Sequence, residues 1–349
     1  MISNHRLVAA LVTGAVAVTP LVTAVRTADA GCNSWSCGAN TPILWGTFIR
    51  GLSTQGEANA DGIALVVDSL RPVAGRCGAA HALTLGVLEG EAVGLRPDGS
   101  IACRGAALIG ATFMVTVPEG AGRRALSVRI DARGTVATWE ADPHLRERVP
   151  TYRFSRASDG APLCGGEGWM SGWQRNHELD DGGRGRWHRG TDHALLVQGE
   201  IYDEVGDVAA EGPQWWGIAC SGSGVAKMRL LGLDPSHAEE PREARVATLK
   251  MLGARYLGTD AYTRPGVPLA WVRWDGRTYA GTPVDQIGPL EAVWTEVGAL
   301  CVSHLRLAME GTAEAETEAA TLAQLRQHIP QCTTESGYWT TYTVDHTSH

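Results

Sequence analysis

Alternation of apolar and polar positions is strongest in the first half of the chain. In LSVRIDA, Leu126, Val128 and Ile130 fall on one side and Ser127, Arg129 and Asp131 on the other, the period of two expected of a half-buried β-strand. The segments ATFMVTV (111–117), TVATWEA (135–141) and TYRFSR (151–156) are rich in β-branched and aromatic residues, which favour strands. Asp-Gly pairs begin at Asp61, Asp98 and Asp159, and such pairs tolerate the positive φ of tight hairpin turns. The pattern predicts an antiparallel β module over about 40–157, closed by the turn-rich SRASDGAPLC.

The second half mixes periods. WWGIAC (215–220), ALLVQGEIYDE (194–204) and PLAWVRW (268–274) read as strands. Between Ser236 and Tyr256, the residues Val246, Leu249, Leu252 and Tyr256 recur at helical spacing. Ser236 and Glu239 have the spacing of a capping box, whereas Pro241 pushes the start of the helix later. A last helix is expected near 312–329, with Glu314, Glu316 and Glu318 at its start, Arg326 and His328 at its end and Pro330 as its stop. That order suits the helix dipole, and Leu322, Leu325 and Ile329 at helical spacing argue against an acidic disordered tail. The expected fold class is α+β: a β-rich antiparallel N-terminal module (31–157) followed by a mixed α+β, disulfide-containing module (158–349). No internal repeat is visible.

Residues 1–30 stand apart from these patterns. His5 and Arg6 precede an apolar run, LVAALVTGAVAVTPLVTAV, and Ala28 and Ala30 form the small-residue pattern that signal peptidase reads. The expectation is an export signal cleaved after Ala30. A membrane anchor is the rival reading, but Thr13, Gly14, Thr19 and Pro20 interrupt the run. A lipoprotein acylated at Cys32 is disfavoured by Asp29, which occupies a lipobox position that wants a neutral residue. No later segment is apolar enough to cross a membrane, so no span is expected after cleavage. The expected location is the periplasm, cell surface or exterior.

Without the leader, 28 basic and 37 acidic side chains remain, a net charge of −9. That disfavours a nucleic-acid partner, which needs a basic surface. All eight cysteines (Cys32, Cys37, Cys77, Cys103, Cys164, Cys220, Cys301 and Cys332) follow the leader, and an even set in an exported chain reads as disulfides. Pairing between sequence neighbours is the default among the many connectivities possible. Zinc is the rival use, but CNSWSC is the one close pair and has no matching second pair.

Candidate chemistry concentrates in four places. WWGIACSGSGVAKM (215–228) looks like a nucleophile turn, yet neither Ser221 nor Ser223 has the Gly-x-Ser-x-Gly flanks, and Ser223 misses the Ser-x-x-Lys spacing to Lys227 by one residue. The segment reads instead as a turn between a buried strand and a helix starting near Val225, with Cys220 as a disulfide half. Cys301 and His304 would share a face if LCVSHLRL were helical, a thiolate dyad for a secreted hydrolase. NHELDDGGRGRWHRGTDH gathers His177, Glu178, Asp180, Asp181, His188, Asp192 and His193; these are ligand types for a divalent metal, or a solvated loop. Finally, twelve tryptophans against three phenylalanines suggest either core packing or an exposed platform for a sugar or peptide. No cofactor motif is present, and Arg outnumbering Lys by 28 to 2 reads as genome composition.

From Trp215 to Arg306 the order of features resembles the bacterial ADYC-domain family, exported proteins without an assigned molecular function. GIACSGSGVAKM is similar to the family's strand ending in Ala-Cys and its following Lys-Cys, through Cys220 and Lys227. KMLGARYLG resembles the naming stretch at Met251, Ala254, Tyr256 and Gly258. The downstream segments match at Thr263, Arg264, Gly266, Glu291, Trp294, Cys301, His304 and Arg306, and CNSWSCGANTP looks like the family's leader-proximal segment. The chain departs at Arg255 and Leu257, where the family has Asp and Cys, and at Met228 and Thr248, where it has Cys. The resemblance implies that Thr248 and Leu257 mark the joint loss of one disulfide, and no role of the missing Asp carries over. The expected role is non-enzymatic: binding an unknown surface ligand or envelope component.

Overall fold

The computed structural model describes residues 40–78, 82–140, 143–164, 192–236, 240–263, 269–280, 287–306, 312–333 and 336–344. Strands in the described residues form three antiparallel sheets. The largest holds β1 (Leu52–Ser53), β2 (Ala64–Leu65), β6 (Thr112–Glu119), β7 (Gly122–Ala137), β8 (Arg148–Arg156), β9 (His193–Tyr202) and β10 (Val208–Cys220), in the order β1-β10-β9-β8-β7-β6-β2. A small sheet contains β3 (Thr84–Leu88), β4 (Glu91–Leu95) and β5 (Ile101–Arg104). A third, ordered β12-β11-β15-β13-β14, contains β11 (Ala270–Arg273), β12 (Thr278–Ala280), β13 (Ile287–Thr295), β14 (Gly298–Val302) and β15 (Trp339–Val344).

At β9 the seven-stranded sheet is covered on both faces, which explains the unbroken apolar run of that strand. Ala194 and Leu196 join Phe113, Val128, Phe154 and Ile218 in a core shared with the small sheet. Leu195 and Val197 point the other way, into a core shared with the helices and with Trp271, Trp294 and Trp339 of the third sheet. The sheet takes strands from both sides of residue 157, so the two periods read along the chain do not divide its sheets.

Helices are few and short: α1 (Gly224–Leu230), α2 (Arg242–Leu252) and α3 (Thr312–Leu325). The described fold is therefore mostly β, so the expected α+β class holds only roughly. Long strands such as the 16-residue β7 and 13-residue β10 take up sequence whose bends and glycines hide their continuity. Ser223 caps α1, its Oγ accepting from the Ala226 N–H, and every residue of that helix is buried.

Helix α2 begins immediately after Pro241, not at Ser236, because a proline inside a helix lacks the N–H and clashes with the preceding turn. It also stops before Tyr256. Ala254 takes φ +48°, with the Arg255 N–H donating to the Lys250 carbonyl at 2.9 Å and the Ala254 N–H to that of Met251 at 3.1 Å. This is a Schellman ending with alanine in the place usually held by glycine, a signal invisible in the sequence. It turns Tyr256 off the helix and into the core, where it is 1% exposed.

Of the three Asp-Gly pairs, Asp98-Gly99 turns β4 into β5, whereas Asp61-Gly62 lies between two strands that do not pair with each other. Asp159-Gly160 closes a short return in which Ser155 bridges Pro162. Residues 40–50 run as a bent strap across the helix ends. Its carbonyls at Ile43, Leu44 and Trp45 accept from the N–H groups of Gly224, Val225 and Cys220 at 2.8 to 3.0 Å. The Trp45 indole donates to the Tyr202 carbonyl at 2.8 Å.

Candidate functional site

Four of the family-like positions, Tyr256, Glu291, Trp294 and Arg306, come together in the interior. Tyr256 donates its hydroxyl to Glu291 Oε1 at 2.8 Å, and Arg306 Nε donates to both carboxylate oxygens at 2.9 and 3.0 Å. The Arg306 backbone N–H closes the ring on the Tyr256 hydroxyl at 3.1 Å, and its Nη1 reaches the Met251 carbonyl at 2.5 Å. Trp294 stacks on Tyr256 with ring centroids 5.1 Å apart and lies 5.5 Å beneath the Arg306 guanidinium. Glu291 is 0% and Arg306 2% exposed. Burial, and then the Glu291 charge, push the Tyr256 hydroxyl well above its usual range. Arg306 Nη2 lies 2.9 Å from Glu291 Oε1 as an ion pair but makes no hydrogen bond; none of these groups faces solvent, so the node joins α2, β13 and the segment after β14 without presenting a reactive atom.

Lys227, on α1, lies beside this node. Its amine is 6.0 Å from the Trp271 ring centre, and burial, reinforced by Arg306, lowers its pKa to about 7. A second buried trio has the same chemistry: Tyr202 donates to Glu200 Oε2 at 2.5 Å, and Arg245 grips Glu200 through Nε at 2.9 Å and Nη2 at 2.5 Å.

The sulfurs form three disulfides among the described residues: Cys77–Cys103, Cys164–Cys220 and Cys301–Cys332. This overturns the thiolate dyad. Cys301 lies on a strand and not a helix, its sulfur is bonded to Cys332, and its side chain is buried while His304 is exposed. Cys32, Cys37, Arg264, Gly266 and the loop members from His177 to His188 lie outside the described residues. Of that loop, His193 opens β9 with its Nδ1 3.3 Å from the Thr151 hydroxyl, and Asp192 stands 3.9 Å from its Nε2. Among the described residues no three His, Cys, Asp or Glu side chains gather as metal ligands.

The tryptophan platform also fails in the described part. Trp45, Trp139, Trp216, Trp271, Trp294 and Trp339 are at most 2% exposed and Trp215 is 7% exposed, leaving Trp274 as the exposed one; Trp169, Trp173 and Trp187 lie outside the described residues. Thr248 is buried, accepting from the Trp339 indole at 2.8 Å, Met228 is buried in α1, and Leu257 faces outward.

An open cleft of about 590 Å³ lies between the strap (Pro42 to Phe48 and Arg50), Glu204 and Arg255. Leu44 and Trp45 are buried beneath it, while Phe48 is 48% exposed at its rim. Arg255, the departure from the family's Asp, is 7% exposed. Its Nη2 donates to the carbonyls of Glu204 at 2.7 Å and Pro42 at 3.3 Å, and its Nη1 to that of Thr259. Burial lowers its pKa against the opposing pull of Asp203, Asp260, Asp207 and Glu204. Nearby, Lys250 Nζ donates to the carbonyls of Gly258 at 2.7 Å and Val205 at 2.9 Å and pairs with Asp207 at 2.8 Å. Sequence reasoning named Arg255 as a departure but missed the strap and Glu204, because a cleft wall made of bent backbone has no period.

No curated protein and no solved structure matches the chain. A family model does: the ADYC domain, over residues 105–308. The match begins upstream of residue 158 and takes in β6 to β10, α1, α2 and β11 to β14, with the buried node inside it and the strap outside. With more than half its length matched and Tyr256, Glu291 and Arg306 closing on one another in its core, the chain belongs to the ADYC domain family.

Proposed function

We propose that this protein is an exported, disulfide-linked, non-enzymatic domain that binds an envelope or surface component through the strap cleft. One observation carries this reading. Tyr256, Glu291 and Arg306 are consumed in a solvent-excluded network, while the cleft at Arg255 and the strap is open to solvent. A network of that kind specifies a scaffold, and a concave, largely apolar cleft with a few polar groups is where a ligand docks. Three disulfides support an oxidising compartment, and residues 1–30 are read as the signal that leads there.

The test places a photo-crosslinking residue at Phe48 and, as a control, at the exposed Val73 in the native host. A discrete adduct from position 48 and not from 73, in the exported fraction, is the expected outcome. Identical labelling from both positions removes the cleft as a binding site. N-terminal sequencing of the exported form is expected to begin at Gly31.

A further inference from the structure

We infer that the cleft docks a basic polypeptide segment carrying an apolar side chain, an inference that rests on the cleft being the binding site. The cations of this neighbourhood are turned inward. Arg255 and Lys250 are 7% and 2% exposed, and between them they donate to five backbone carbonyls, those of Pro42, Glu204, Thr259, Val205 and Gly258. Positive charge is thus spent on holding the strap, the β9–β10 turn and the loop after α2 together. The carboxylates of the same segments face outward: the Glu204 side chain is 78% exposed and that of Asp207 57%, and Asp260 is exposed. Arg50 is the partly exposed cation, and it is engaged by both Asp61 and Glu204.

Exposed apolar side chains lie nearby along the chain, Phe48 lining the cleft and Leu257 on the loop after α2 outside that lining. Phe48 forms the rim of the cleft, and Leu257, 43% exposed, is two residues from Arg255. The β13–β14 turn presses against that loop, with the Ala299 N–H donating to the Tyr256 carbonyl at 2.9 Å, and so brings Val297, 74% exposed, beside Leu257. Gly258 permits this approach: a Cβ there would stand 2.6 Å from the Val297 carbonyl. An apolar centre whose outward-facing charges are mainly carboxylates, with Arg50 already tied to two of them, favours a partner of the opposite sign and speeds its encounter. An anionic partner would meet the carboxylates first and find both guanidinium Nη groups of Arg255 already committed to carbonyls.

The test uses three labelled twelve-residue peptides with the same spaced phenylalanines and, between them, lysines, glutamates or serines, titrated against the full exported chain by fluorescence anisotropy. The lysine peptide is expected to bind, with affinity falling at least about ten-fold in Phe48→Ser and in Leu257→Ser and several-fold in Glu204→Gln combined with Asp260→Asn. Both apolar positions are exposed, so the variants are expected to keep the wild-type Tm, which is measured alongside. Tighter binding of the glutamate peptide, still dependent on Phe48, overturns the basic class while leaving the cleft as the docking site. Lysine-peptide binding that is indifferent to Phe48 and Leu257, or absent, overturns the inference. Position-specific crosslinking at Phe48 in the host then tells whether the cleft itself has failed.

Discussion

The two faces of the seven-stranded sheet are packed by different chemistry. On the side of the small sheet, Phe113, Val128, Ile130, Phe154, Leu196 and Ile218 fill the interior, and two disulfides, Cys77–Cys103 and Cys164–Cys220, border it. On the side of the helices, apolar side chains are interleaved with buried ions. Every charged side chain that is buried among the described residues falls from Glu200 onward: Glu200, Lys227, Arg229, Asp234, Arg245, Lys250, Arg255, Arg273, Glu291 and Arg306. A hydrocarbon core gains from area alone and tolerates rearrangement. A core with buried ions is stable only when each charge meets its partner, so it contributes less net stability and more geometric demand. The family signature lies on this second side, which is consistent with a signature that fixes one arrangement of helices and sheet.

This contrast can be broken experimentally. The largest effect is expected from Glu291→Gln, which leaves Arg306 buried without its counter-charge and should cost about 3 to 5 kcal/mol in urea unfolding; a cost below that of a simple apolar truncation would mean that the node is not a structural keystone. On the other face, replacing Cys164 and Cys220 together by alanine should cost about 2 to 4 kcal/mol, read from the shift in denaturation midpoint at unchanged secondary structure.

Lys227→Met should act in the opposite direction. The folded-state pKa of Lys227 is about 7, below the ordinary 10.5, so the unfolded chain binds its proton more tightly than the folded one. Its contribution to stability therefore rises as pH increases from about 7 to 10.5 and is flat below that window. The methionine variant is expected to gain about 1 to 4 kcal/mol at pH 7 and to lose that rise. A wild-type stability that falls steadily over the same pH range, with no difference from the variant's slope, would contradict the assignment.

Smaller effects sharpen the comparison. Phe113→Leu, a near-conservative change on the apolar face, should cost about 1 kcal/mol without altering the pH profile. Ala254→Gly relieves the left-handed backbone at the end of α2 and should stabilise by about 1 kcal/mol; a loss of stability would show that the Ala254 side chain, buried in the helix-side core, matters more than its φ.

Much of the β-rich half was legible because its strands alternate against one buried face, as Leu126, Val128 and Ile130 do. The turn after Cys220 was legible as a strand-to-helix junction because Ser223 is a capping residue followed by good core residues. For Cys301 the disulfide reading holds and the pairing with His304 does not, because a spacing of three means proximity on a helix and nothing on a strand. For the tryptophans the core-packing alternative holds among the described residues except at Trp274, a choice that composition alone does not make.

By itself the sequence determined the period of the strands, the later helix start that Pro241 imposes, the even set of cysteines and the acidic balance. These are local or additive properties of the chain. Tertiary structure alone decided that Tyr256, Glu291 and Arg306, spread over fifty residues, bind one another, that Arg255 and Lys250 turn inward onto carbonyls, and that carboxylates and Phe48 are left facing solvent. Burial and hydrogen-bond partnership depend on which distant segments meet, and no spacing along the chain encodes that meeting.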